Sequence, residues 1–160
     1  PVDQGTIVTI TAGAGWDQSN SDTQLLGAAG KDYGNTVSDR YGVYAQVKTS
    51  ATGDASPLGM LLHSVKEEDE NGEKLLYNPR KMAEMEVVLS GQAVPIVSRG
   101  IFLYSGTTID GETVTPGAKL YADANGLLTA TAGGTDQAVV AQALGPVDST
   151  YKSILIKLEL

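Results

Sequence analysis

The only histidine in the chain, His63, sits in LGMLLHSV, and hydrolytic chemistry would require it to meet a serine and a carboxylate from elsewhere. No G-x-S-x-G elbow is present to deliver that serine. His63 shares a strand face with Leu61 and Val65, where it reads as a structural histidine with a satisfied hydrogen bond. The absence of cysteine removes thiol nucleophiles, iron–sulfur centres, thiolate zinc sites and disulfide frameworks, and one histidine leaves an imidazole metal site without ligands. Carboxylates are plentiful, at 19. With so many, some pair always falls at glycosidase spacing, so composition singles none out.

Two further stretches have the right residue types for chemistry. In KEEDENGEKLLYN, Glu67, Asp69 and Asn71 occupy positions one, three and five of a calcium-type loop and Gly72 position six. Position twelve is Asn78 instead of a bidentate glutamate, and no flanking helix pair is expected. The alternative is a hairpin in which LLHSVK returns as EKLLYN around Asn71-Gly72, its tip kept soluble by charge. Gly13-Ala14-Gly15 follows the apolar strand TIVTIT, as a dinucleotide fingerprint would. Gln18 stands where that motif needs a small residue, and no amphipathic helix follows to receive a pyrophosphate. These residues therefore point to no catalytic site, metal or cofactor, and the chain is expected not to be an enzyme.

The elements that would position such groups are strands. Glycine, at 19 of 160 residues, exceeds the usual share of about 7%, and Asn71-Gly72, Asp110-Gly111, Asn125-Gly126, Gly133-Gly134 and Gly145-Pro146 supply turn signals throughout. In the C-terminal SILIKLEL, Ile154, Ile156, Leu158 and Leu160 alternate with Leu155, Lys157 and Glu159, the pattern of a half-buried strand. YGVYAQVK and EMEVVLS alternate in the same way. Strands are expected over 6–11, 41–48, 58–66, 74–77, 84–90, 92–98, 100–105, 117–122, 126–131, 137–144 and 153–159. Pro95 places its segment at a sheet edge or bulge. One short helix is expected at NPRKMAEM, with Asn78 as cap and Pro79 in the first turn. The fold class is all-β: a compact antiparallel β-barrel or sandwich with an extended N-terminal arm and at most one short helix.

Residues 1–40 are read as an N-terminal strand and irregular arm, and residues 41–160 as the barrel or sandwich domain. The stretch from Gly13 to Asp39 has no sustained period and holds the only tryptophan. Trp16, Leu25, Leu26 and Tyr33 are its candidate contact residues, large apolar groups able to anchor on a protein surface. A second reading makes Trp16 and Tyr33 an exposed aromatic platform of a carbohydrate-binding or adhesion module. The net charge of −8, without a basic stripe, argues against nucleic acid and anionic membrane as partners. No apolar stretch approaches the ~18 residues of a membrane span, and PVDQG lacks the features of a signal peptide.

The second half runs GQAVPIVSRGIFLYSG, then ETVTPGAKLYADANGLLTATAGGTDQAVVAQALGP, then SILIKLEL. This succession resembles the small β-barrel of bacteriophage head decoration, or cement, proteins. The likeness is carried by a hairpin with Gly117, Leu120, Tyr121, Asp123, Gly126 and Leu128, followed by the strand AVVAQALG and the alternating C-terminal strand. Asn125-Gly126 would reverse the chain so that Leu120 and Leu128 face one core. The part that resembles them is 91–160, and the first half matches no pattern of the family. It implies a non-enzymatic virion protein, made in the host cytoplasm, that sits on the capsid exterior as a homotrimer and ties major capsid protein subunits together.

Overall fold

The computed structural model describes residues 1–11 and 45–160. The fold is all-β. The chain divides into a unit of residues 1–9 with 49–160 and a second of residues 10–48. In the second unit, the described residues include a pairing of Thr11 N–H with the Gln46 carbonyl at 2.8 Å.

Strands β1 (Ile7–Ile10), β2 (Val47–Thr49), β3 (Pro57–Leu61) and β6 (Ile96–Val97) form one sheet in the order β2-β1-β3-β6. Strands β7 (Arg99–Tyr104), β8 (Lys119–Ala122), β9 (Leu128–Thr129), β10 (Ala141–Ala143) and β11 (Ile154–Glu159) form a second, in the order β7-β11-β10-β8-β9. All pairings of the second sheet are antiparallel. A small parallel pair joins β4 (Ser64–Val65) to β5 (Val87–Val88).

The C-terminal alternation produces what its period demands. Ile154, Ile156 and Leu158 are buried, and Leu155 and Glu159 are exposed. β11 lies between β7 and β10, so its buried residues form the middle of the core, with Leu120 and Leu128 beside them. The β8–β9 hairpin turns through Asp123–Leu127, where Asp123 N–H donates to the Leu127 carbonyl and the Asp123 carboxylate accepts from the Asn125 and Leu127 N–H groups. Ile7 and Met60 of the first sheet complete the same core.

The junction between the sheets is tight. Ile7 N–H donates to the Gly126 carbonyl at 2.7 Å. Gly126 has φ +71°, and a Cβ there would stand 2.6 Å from the Ile7 carbonyl oxygen. The position therefore needs glycine both for its left-handed backbone and for the close approach. Nearby, the hydroxyl of the buried Tyr104 accepts from Leu128 N–H at 3.1 Å, and burial pushes its phenol up.

Several sequence expectations shift in the structure. The stretch 58–66 breaks into β3 and β4 at a bend holding the half-buried His63. Residues 74–77, expected as a strand, form a 3-10 turn at Leu75–Tyr77 that leads into α1 (Pro79–Glu84). Asn78 Oδ1 accepts from Lys81 N–H and Pro79 opens α1, so helix capping prevails over the weak strand signal. That helix absorbs Glu84 and leaves only Val87–Val88 of the expected strand 84–90. Asn71-Gly72 does turn the chain, and Glu68 bridges antiparallel to Lys74, but the pairing goes no further and β4 pairs with β5. A second helix, α2 (Thr107–Asp110), covers the end of the core with the buried Ile109. It is one turn long, too short to leave a periodic signal. Pro95 precedes β6, which lies at the edge of its sheet.

Ile156→Ala is expected to destabilise the fold by about 2–5 kcal/mol, while Leu103→Thr, on the exposed side of β7, shifts stability by less than ~0.5 kcal/mol. Urea midpoints of the two variants check this. Gly126→Ala is expected to cost more than the ~1–2 kcal/mol that a left-handed backbone alone imposes on a side chain. Thermal melts showing a smaller loss would mean that the Ile7 strand can move aside.

Candidate interaction surface

Most of the buried polar groups serve the backbone. Glu112 accepts from the Thr129 hydroxyl and the Ala130 N–H, both at 2.5 Å, and buried Gln137 links Gly133 N–H to the Ala122 carbonyl. Asp123 also accepts from the Thr108 hydroxyl, fastening α2 to the hairpin. No group of three or more His, Asp or Glu among the described residues is arranged to hold a metal ion.

The calcium-like loop has another use for its central carboxylate. Asp69 has no exposed side-chain surface. One oxygen accepts from Asn71 and Glu73 N–H, each at 2.8 Å, and the other pairs with the Lys81 ammonium from α1. Lys81, foremost, and these N–H groups hold the Asp69 carboxyl below the usual carboxylate range. Asp69 in turn raises Lys81. With both oxygens engaged, the carboxylate anchors the loop to α1.

The surface is where the structure leaves unspent apolar area. β7 and β11 are paired so that Leu103 faces Leu155, Ile101 faces Lys157 and Arg99 faces Glu159. Ile101, Leu103 and Leu155 stay 63%, 73% and 44% exposed. β10 and β8 continue this outer face with Gln142 beside Lys157 and Lys119 beside Gln142. Lys157 lies 2.9 Å from Glu159 and holds its carboxyl below the usual range, with Arg99 adding to the effect. Leu160 N–H donates to the Ser98 carbonyl. Since antiparallel bonding alternates along the strands, Arg99, Ile101 and Leu103 direct their backbone groups away from β11, toward the open edge of the sheet.

A second exposed surface lies on the 3-10 turn, where Leu76 and Tyr77 are 62% and 82% exposed. Glu67, Glu70 and Glu73 are exposed beside it on the Asp69 loop, and none forms a salt bridge among the described residues. Apolar side chains ringed by charge are the composition that protein-binding surfaces have.

The chain matches the family described as structural cement protein (E217 gp24/Pam3 gp6) over residues 5–159. It belongs to that phage cement family. No curated protein and no solved structure matches it. The family is structural, a component of the phage capsid, and non-enzymatic in kind. The match also takes in the first half of the chain, where no sequence pattern had pointed to it. Trp16, Leu25, Leu26 and Tyr33, the contact residues expected from sequence, lie outside the described residues. Ile101, Leu103, Leu76 and Tyr77 were not singled out from sequence. IFLY and LLY are unbroken apolar runs, so their spacing does not separate core from surface.

Because the folded Asp69 carboxyl titrates below its unfolded value, its stabilisation is fully present above the ordinary carboxylate range and is lost as pH falls through the folded value. Asp69→Asn is expected to be less stable than the parent at neutral pH, with the gap closing from about pH 5 to about pH 2. Urea midpoints across that range check it. A gap that does not change with pH would mean that the ion pair with Lys81 does not stabilise the loop.

Proposed function

We propose that this cement protein attaches to the outer surface of an assembled phage head and stabilises contacts between neighbouring major capsid protein subunits, acting as a homotrimer. The observation that carries the reading is the family match over nearly the whole chain. The fold is consistent with it, since the buried polar groups of the described residues hold turns and strand ends together and apolar area is left exposed at the surface.

Residues 1–40 supply the clamp in this reading, with Trp16, Leu25, Leu26 and Tyr33 as anchors. Fully buried, such side chains contribute about 1.5–3 kcal/mol each. Ordering a segment costs roughly 1–2 kcal/mol per residue, so few anchors on one copy do not suffice. Three copies on a symmetric site raise the effective concentration of every arm without a new contact. Ile7 and Val8 belong to the core, so a test of the clamp must keep β1. Thr11 N–H donates to the Gln46 carbonyl, so the two chain ends lie close enough for a short Gly/Ser turn to join them in place of residues 12–44.

Heads assembled without the protein are expected to form but to rupture at lower temperature and milder osmotic shock, and added protein restores them saturably. Trp16→Ala and the shortened chain are expected to fold normally yet protect less. Full protection by the shortened chain would remove the clamp from this account, and absence of saturable binding by the full chain would remove the capsid from it.

A further inference from the structure

We infer that copies of this chain bind one another head to tail, the acidic turn at Leu76–Tyr77 of one copy seating on the outer face of the β7–β11 sheet of the next. The basis is the distribution of charge over two exposed apolar surfaces. The protein carries −8 overall, yet the outer sheet face has three cations, Arg99, Lys119 and Lys157, against the single carboxylate of Glu159. Neither Arg99 nor Lys119 forms a salt bridge among the described residues. These cations border Ile101, Leu103 and Leu155, an apolar strip left exposed.

The other surface has the opposite composition. Leu76 and Tyr77 project beside Glu67, Glu70 and Glu73, and the Lys66, Lys74 and Lys81 ammonium groups nearby are already paired with Asp3, Glu68 and Asp69. The ion pair between Asp69 and Lys81 fastens the loop to α1, so the surface is presented in one shape and little ordering entropy is lost on docking. Apolar meets apolar, and unpaired carboxylates meet unpaired cations. Face-to-face docking of two sheet surfaces would oppose like charges. The complementary surfaces are two different patches, so the contact is heterologous, and it closes into a ring or continues as a chain according to the rotation between copies.

The contact is independent of the capsid and is tested on the full chain without heads. Sedimentation is expected to show concentration-dependent association that weakens as salt is added. Arg99→Glu with Lys119→Glu, and separately Glu70→Lys with Glu73→Lys, are each expected to weaken it at least about tenfold. An equimolar mixture of the two double variants is expected to associate again, because each supplies the charge that the other lacks. Leu103→Thr, which leaves the fold intact, weakens association by about tenfold. Carbodiimide treatment of mixed labelled and unlabelled protein is expected to join Lys119 or Lys157 of one copy to Glu70 or Glu73 of another. A chain that stays monomeric at its highest soluble concentration overturns the inference. So does association that survives reversal of either surface, as edge-to-edge pairing through β7 would, or a variant mixture that stays apart.

Discussion

The hydrogen bond between Ile7 N–H and the Gly126 carbonyl is the constraint on which the two-sheet core depends. It ties the first strand to the turn of the β8–β9 hairpin, and so to a segment more than a hundred residues later. Ile7 can enter the core shared with Leu120, Leu128 and Ile156 only because Gly126 has no side chain at the crossing. The Tyr104 hydroxyl on Leu128 N–H makes a similar tie from β7. An unpaired buried donor at either point would cost about 1–3 kcal/mol, which makes the meeting of the sheets specific as well as hydrophobic.

The same use of polar groups for the backbone recurs at the acidic residues of the turns. Asp69, Glu112 and Asp123 each satisfy backbone N–H groups in a turn or at a strand end. Carboxylates used in this way replace the long strands and large helices that would otherwise satisfy the backbone of a turn-rich chain. The result is a core held by short elements and many turn contacts, in a protein of the structural phage cement family.

The packing of the core also decides what the surface presents. β7 and β11 hold Ile101, Leu103 and Leu155 on the outside because the inner positions of both strands are already filled by Phe102, Tyr104, Ile154, Ile156 and Leu158. A two-faced strand cannot hide both sets in a core that lies on one side. The exposed set is therefore a geometric consequence of the sheet, and the cations next to it distinguish that face from the acidic remainder of the protein.

The sequence by itself determined the all-β class, the β8–β9 hairpin at Asn125-Gly126, the inward face of β11 and the capped helix at Asn78-Pro79, because period-two alternation, turn dipeptides and capping are local signals. The resemblance carried by Gly117 to Leu128 pointed to the cement family without any contact being known. Local signals could not show that β4 pairs with β5 in parallel, that Leu75–Tyr77 coils instead of extending, or that Lys81 closes on Asp69, since each depends on a neighbour distant in sequence or on a competing cap. The outward direction of Ile101 and Leu103 was hidden for a related reason. In the unbroken run IFLY either register buries two large apolar residues, and only pairing with β11, whose own alternation is unambiguous, decides which two.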